Sequence, residues 1–110
     1  MASLPNYLRT HRKRHTLSQE EVAYLLGCTG AGRSSKVSLD ENLGREMRLR
    51  TALAYEALYG ISIRELFAGT FEEVQQEILE RAKVMRHKVS VQSNGKKLAF
   101  ITNFINRILA

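Results

Sequence analysis

The sequence has one cysteine, one proline and no tryptophan. Cys28 has no second cysteine for a disulfide and no CxxC partner for zinc, which argues against a disulfide scaffold or a cysteine-based metal site. The longest apolar runs are only a few residues, so the sequence predicts no transmembrane helix, no secretory signal and no membrane attachment. We therefore expect a cytoplasmic protein.

Positive charge is what the chain has in excess. Seventeen Lys and Arg residues stand against eleven Asp and Glu, which gives a formal charge of +6. This favours a polyanionic partner such as nucleic acid or an anionic membrane surface, and charge alone does not choose between them. Hydrophobic residues make up 44% and charged residues 25%, as is usual for a folded globular domain. A chain of 110 residues is expected to form one domain with an appendage.

Residues 17–26 carry the clearest helix signal. Ser18 and Glu21 stand three apart, as in a capping box, and predict where the helix begins. Gly27 predicts its end, because glycine enters the left-handed conformation without steric penalty. The apolar spacing predicts one core-facing side, formed by Val22, Leu25 and Leu26.

A glycine-rich turn and a second helix follow. This helix is predicted to open at Ser34 or Ser35, to turn Val37 inward and to close near Gly44. Two short helices joined by a glycine-bearing turn are typical of the helix-turn-helix, which presents one helix to the major groove of DNA.

Two patterns suggest other chemistry and are set aside. Residues 27–34, GCTGAGRS, fit the phosphate-loop motif except that Arg33 replaces lysine, but that motif needs a preceding strand, and VAYLLG has helical spacing. His11 and His15 have a metal-ligand spacing, but no Asp, Glu or Cys lies near them in sequence. No catalytic constellation is visible either. We expect no cofactor, no metal and no enzymatic activity.

The remaining patterns predict an all-α fold, with a compact five-helix domain at 1–69 and a helical extension at 70–110. The first helix is expected at 4–15, with Pro5 suited to its first position. A fourth helix is predicted from Arg48 to Tyr59 with an apolar stripe, and a fifth from Ser62 to Phe67. The members of the stripe are Leu49, Ala52, Leu53 and Ala57.

The extension is predicted to contain one longer helix and one short terminal helix. Thr70 and Glu73 suggest a capping box for a helix that runs to about Val89, and residues 90–97 read as a linker. The predicted apolar seam of this helix contains Phe71, Val74, Ile78, Ala82 and Met85. It must be covered by the five-helix domain or by a second copy. Residues 98–109 favour an amphipathic helix, with a strand as the alternative.

The segments LRTHRKRHTLSQEEVAYLLG, KVSLDEN and RLRTALAYEALYGISIRELFAG resemble the phage-repressor and Cro-like helix-turn-helix regulators, the Xre family. The resemblance covers residues 6–69. It implies a five-helix domain that binds a pseudo-palindromic operator as a homodimer and controls transcription. It further implies a phosphate contact from Gln19 and base contacts early on the third helix, from Arg33, Ser34, Ser35, Lys36 and Ser38.

Asp40 departs from the family pattern, because it stands where an apolar, partly buried residue is usual. A buried carboxylate without a partner costs several kcal/mol, so we expect Asp40 to reach solvent, find a partner or turn the helix.

The leading hypothesis is a sequence-specific regulator that binds double-stranded DNA. Its predicted phosphate contacts are Arg9, Arg12, Lys13, Gln19 and Lys36, and its predicted base contacts are Arg33, Ser34, Ser35 and Ser38. The alternative is a protein-interaction module on the same fold, with weakened DNA binding, which dimerises or captures a protein through the 71–89 seam or the 98–109 helix.

Overall fold

The computed structural model describes residues 6–43, 47–92 and 95–110, and it shows an all-α protein. The helices of these residues are α1 (Leu8–Arg14), α2 (Gln19–Leu25), α3 (Arg33–Leu43), α4 (Leu49–Tyr59), α5 (Ile63–Leu66), α6 (Ala68–Gln92) and α7 (Gly95–Leu109). None of the helices, over the residues described, is long and apolar enough to cross a membrane. The chain divides into two compact units, Met1–Phe71 and Glu72–Ala110, which we call the first and second units.

The ends of α2 are set by local chemistry, as predicted. The Ser18 hydroxyl accepts a hydrogen bond from the Glu21 amide at 3.0 Å, and the Glu21 carboxylate accepts one from the Ser18 amide at 2.9 Å. These bonds complete the capping box and hold the pKa of Glu21 below its ordinary value. Gly27 has a φ of +81°, in the left-handed region. Both predicted boundaries are therefore confirmed.

The buried face of α2 differs from the prediction. Val22 and Ala23 are fully buried, whereas Leu25 is 53% exposed. The placement of Leu25 in the core is wrong, because α2 packs through Ala23, whose small side chain lets the neighbouring helices approach closely.

The same type of correction applies to α4. Its buried side chains are Ala52, Tyr55 and Tyr59, whereas Leu49, Leu53 and Ala57 of the predicted stripe are exposed. Apolar residues lie almost all round this helix, and the two large rings, which bury the most surface, decide which side faces inward. They join a core that also contains Leu8, Val22, Ala23, Val37 and Leu66.

The connection between α4 and α5 contains local signals for both of its ends. Gly60 ends α4 with a φ of +68°, and the Ser62 hydroxyl accepts a hydrogen bond from the Glu65 amide at 3.2 Å to start α5. At the other end of the unit, α1 begins at Leu8 with Tyr7 as its N-cap, so the predicted start near residue 4 is wrong, whereas its end at Arg14 lies close to the predicted end at 15. The predicted roles of Pro5 and Gly44 fall outside the described residues.

The extension begins differently from the prediction. The helix α6 starts at Ala68 and passes through Gly69 and Thr70, so the predicted capping box of Thr70 and Glu73 is wrong. The Phe71 amide donates a hydrogen bond to the Phe67 carbonyl at 2.9 Å. This bond joins residues four apart and belongs to the first turn of α6. The predicted linker at 90–97 is also too long, since α6 reaches Gln92 and α7 starts at Gly95.

The second unit has its own apolar core between α6 and α7. Its buried members are Leu79, Ala82, Val89, Ile101 and Ile105. The terminal helix agrees with the prediction, and the strand alternative does not occur. The predicted α6 seam is only partly correct. Its member Ala82 is buried, but the strip that packs with α7 also runs through Leu79 and Val89, which were not predicted. Val74, Ile78 and Met85 are left nearly half exposed.

Candidate nucleic-acid interface

The helix α3 is held by one narrow inner face. Val37, Asp40 and Glu41 are all buried, and their spacing of three and four residues places them on one side of the helix. Two of these three side chains are acidic, so their burial requires specific partners. Those partners come from α1, α2 and α4.

Arg12 of α1 is the partner of Glu41. Its Nε lies 2.7 Å from Glu41 Oε2, and its Nη2 lies 3.2 Å from Glu41 Oε1, which makes a two-point contact. Nη1 donates to the Leu17 carbonyl at 2.9 Å. The hydrogen bonds to Glu41 raise the pKa of Arg12 above its ordinary value. The structure thus corrects the placement of Arg12 on the exposed basic side of α1. Its guanidinium is buried and joins α1 to α3.

Gln19 of α2 contacts the same carboxylate. Its Nε2 donates to Glu41 Oε1 at 3.3 Å, and its side chain is half-buried. A side-chain amide carries two N–H donors, so one can remain on Glu41 while the other contacts a phosphate. The phosphate contact of Gln19 stays a prediction that this geometry permits.

Asp40 has found partners, one of the outcomes expected for it. Its carboxylate accepts a hydrogen bond from the Tyr55 hydroxyl at 2.9 Å, and its main-chain carbonyl accepts one from Asn6 Nδ2 at 2.8 Å. Burial, together with the charge of Asp40, raises the pKa of Tyr55 well above its ordinary value. The bond between Tyr55 and Asp40 ties α3 to α4. The recognition-helix candidate is therefore anchored from both neighbouring sides.

The opposite face of α3 is polar and open. Ser35, Lys36, Leu39 and Asn42 are exposed, and Ser38 is half-buried. The Asn42 amide donates to the Ser38 hydroxyl at 3.1 Å, and the Ser35 hydroxyl donates to the Gly32 carbonyl. Hydroxyl, amide and ammonium groups are the ones that hydrogen-bond to base edges and phosphates.

Asn42 was missed in the sequence analysis. It follows Ser38 by four residues and Ser35 by seven, so helical periodicity alone places it on the same face. Arg33 and Ser34, by contrast, are half-buried. The Arg33 guanidinium forms an ion pair with Glu20 of α2, so a base contact from Arg33 requires exchange of that partner.

Exposed basic side chains occur on α1 and in a groove beside α3. Arg9 and Lys13 are exposed on α1. A groove beside α3 is lined by Lys36, Arg48 and Arg50, together with turn residues 27–29. Arg48 and Arg50 were also missed, because the sequence analysis read that segment only as the start of a helix. Cations next to a polar helix face match the requirements of a duplex backbone.

The patterns set aside from the sequence have structural explanations. The rings of His11 and His15 lie 5.9 and 6.4 Å from the Tyr59 ring, between centroids. No group of three or more metal-ligating side chains occurs among the described residues. The stretch at 27–34 follows a helix rather than a strand, which confirms the prediction of a turn.

Comparison of the chain with protein-family models, curated proteins and solved structures found no match. The function is therefore argued from the geometry of α3 and its surroundings.

Proposed function

We propose that the protein is a sequence-specific, DNA-binding transcriptional regulator of the repressor/Cro-like helix-turn-helix type. It acts in the cytoplasm as a dimer on a pseudo-palindromic operator. One observation carries this proposal: α3 buries an acidic and apolar face in a hydrogen-bonded network and exposes a face of hydroxyl, amide and ammonium groups. The sequence resemblance to the Xre family supports the same assignment.

The open face supplies the base contacts. Asn42 offers the donor and acceptor pair that matches adenine, and Ser35 and Ser38 offer hydroxyls that pair with several bases. Leu39 lies among them and is partly exposed, so it can contact a thymine methyl group.

The surrounding cations supply the phosphate contacts. Arg9 and Lys13 are exposed on α1, and Lys36, Arg48 and Arg50 line the groove beside α3. Contacts of this kind fix register without reading sequence, and they release counterions, so affinity falls as salt rises. Arg12 is not part of this set, because its charge is already paired with Glu41.

Selection of bound duplexes from a random pool tests the proposal. We expect an enriched sequence with two-fold symmetry. Asn42→Ala should cost about 1–3 kcal/mol of binding free energy and relax specificity at one base position. Lys36→Ala should weaken binding to all sequences and reduce the slope of log affinity against log salt by about 1. Lys83→Ala, an exposed cation in the second unit, is the matched control and should change neither. No enrichment, or binding that does not respond to salt, would overturn the proposal.

A second candidate, a protein-interaction module, is favoured by one other observation. Tyr24 is 69% exposed on α2, and with Leu25 it lines a shallow, mainly apolar hollow next to Arg33. Exposed aromatic and arginine side chains are enriched at protein interfaces. This candidate predicts that the duplex selection fails and that Tyr24→Ala abolishes capture of a protein partner.

A further inference from the structure

One side of α6 carries an apolar strip that α7 does not cover. Val74, Ile78 and Met85 recur at helical spacing, each nearly half exposed, and Val84 lies beside them with 60% exposure. The buried strip of the same helix, which includes Leu79 and Val89, faces α7 instead. The open strip adjoins the buried one, so the apolar face of α6 is wider than the part that α7 covers, and the remainder is available to a second partner.

The charges of α6 are divided into two blocks along the helix. Residues 72–80 include four glutamates and no cation, and residues 81–89 include four Lys or Arg and no acid. Glu73 and Glu77 flank the open apolar strip in the first block, and Arg81 and Lys88 flank it in the second. None of these four forms an ion pair within the described part of the chain.

This division is self-complementary only when two copies of α6 run in opposite directions. An antiparallel pair sets the acidic block of one copy beside the basic block of the other, whereas a parallel pair opposes like charges. The macrodipole of α6 favours acids at its start and bases at its end, but that effect is confined to the first and last turns. It does not account for a change of sign in the middle of the helix.

We propose that α6 is a dimer interface that pairs antiparallel with α6 of a second copy. The two-fold axis passes near Glu80 and Arg81. This register sets Glu73 opposite Lys88. It also brings Val74 and Met85, and likewise Ile78 and Val84, within one helical turn of each other across the interface. The proposal names the surface that joins the two copies of the proposed DNA-binding dimer. It rests on the proposed function only in assuming that the protein acts as a dimer.

Two further facts favour a second copy as the occupant. The second unit is a two-helix body of fewer than 40 residues, and bodies of about that size usually need a disulfide, a metal or oligomerisation to be stable. Its terminal helix also exposes an apolar side chain, Phe100. The charged residues of α7 are all basic, so α7 lacks the self-complementary pattern that α6 has.

Sedimentation equilibrium of the full chain without DNA is the first test. The wild-type chain should dimerise, and the dimer should weaken as salt rises. Glu73→Lys with Glu77→Lys, and separately Arg81→Glu with Lys88→Glu, should each weaken self-association by about tenfold or more. A mixture of the two variants should form a heterodimer. A wild-type monomer, or association that ignores both variants, would overturn the proposal.

A matched control uses charges that lie away from the open strip. Glu72 and Lys83 are exposed on another side of α6, so Glu72→Lys with Lys83→Glu should leave the dimer within about threefold of wild type. Circular dichroism of every variant checks that the helices remain. If the control variant weakens the dimer as strongly as the two charge variants do, the dimer interface is not the side of α6 that carries the open strip.

Cross-linking tests the direction of pairing. In a Cys28→Ser background, Val74→Cys combined with Met85→Cys should give a disulfide-linked dimer, whereas neither change alone should. A dimer linked through Val74→Cys alone would indicate parallel helices and overturn the proposal. These measurements are made without DNA, so they test the inference separately from the proposed function. An antiparallel dimer that binds no duplex would contradict only the proposed function. A monomer that binds duplex would contradict only this inference.

Discussion

The two units of the chain are stabilised by different kinds of contact. In the first unit, buried charged and polar side chains bridge the helices, as in the contacts of Arg12 with Glu41 and of Tyr55 with Asp40. The core of the second unit consists of Leu79, Ala82, Val89, Ile101 and Ile105. Hydrogen bonds require direction as well as proximity, whereas apolar burial depends mainly on area. The first unit, which orients the recognition-helix candidate, adds these directional bonds to an apolar core of its own.

This difference can be measured because one probe reports on one unit. All four tyrosines lie between Tyr7 and Tyr59, and the chain has no tryptophan. Tyrosine fluorescence therefore follows the first unit alone, whereas circular dichroism follows the helices of both.

The largest effect should come from removing Glu41. Its side chain is fully enclosed, and Glu41→Ala leaves the Arg12 guanidinium buried without its carboxylate, so we expect a loss of about 3–5 kcal/mol in the free energy of unfolding of the first unit. Glu20→Ala breaks the exposed pair with Arg33 and is the matched control, expected to cost about 0–1 kcal/mol. Urea titration followed by tyrosine fluorescence measures both. Equal losses of stability in the two variants would contradict the distinction between the buried Arg12–Glu41 pair and the exposed Arg33–Glu20 pair.

Truncation of the apolar core should act on the other unit. Ile105 is buried between α6 and α7, and Ile105→Ala should destabilise the second unit by about 2–5 kcal/mol through lost burial and the resulting cavity. Circular dichroism should then show helix loss at lower urea, while the tyrosine transition stays close to its wild-type midpoint. A tyrosine transition that moves equally far would show that the two units do not unfold separately.

A smaller loss is expected when one directional bond is removed. Tyr55→Phe keeps the ring in the core but deletes the hydroxyl that donates to Asp40, and it should cost about 1–3 kcal/mol in the free energy of unfolding. The tyrosine transition measures this loss. Tyr59→Phe is the control at neutral pH, because the buried Tyr59 hydroxyl has no hydrogen-bond partner among the described residues. A change at Tyr59 as costly as the one at Tyr55 would show that ring packing, not the bond, matters.

The smallest effect concerns alkaline pH. Burial raises the pKa of Tyr59 from 10 to about 12, so folding favours its protonated form. The stability that this contributes is fully present below pH 10 and is lost as the pH rises through about 12. Tyr59→Phe should make the decline in the free energy of unfolding between pH 10 and 12 shallower. If the variant shows the same decline in the free energy of unfolding as the wild type, the decline comes from other groups, including Tyr55.

Sequence reasoning located the ends of α2 better than the faces that α2 and α4 bury. Ser18, Glu21 and Gly27 set the ends of α2 through bonds and backbone angles within a few residues, and such signals can be read locally. The face that α4 buries depends on which partner helix lies against it, so several phases fit the same apolar pattern. For that reason Leu53 was expected inside and is exposed.

The sequence predicted where the candidate site lies but not all of the residues that form it. Ser35, Lys36 and Ser38 are exposed or half-buried on α3, and periodicity would have added Asn42. Arg12 could not be separated from the exposed cations of α1, because its partner Glu41 lies 29 residues away in the chain. Long-range pairing of this kind leaves no local pattern.

The central claim is that the face of α3 opposite Glu41 contacts DNA. Amide chemical shifts of the ¹⁵N-labelled chain, recorded while the selected duplex is added, test it most directly. The largest changes should fall on Ser35, Lys36 and Asn42, with smaller ones at Arg48 and Arg50. Changes confined to α6 and α7, or no changes at all, would contradict the account.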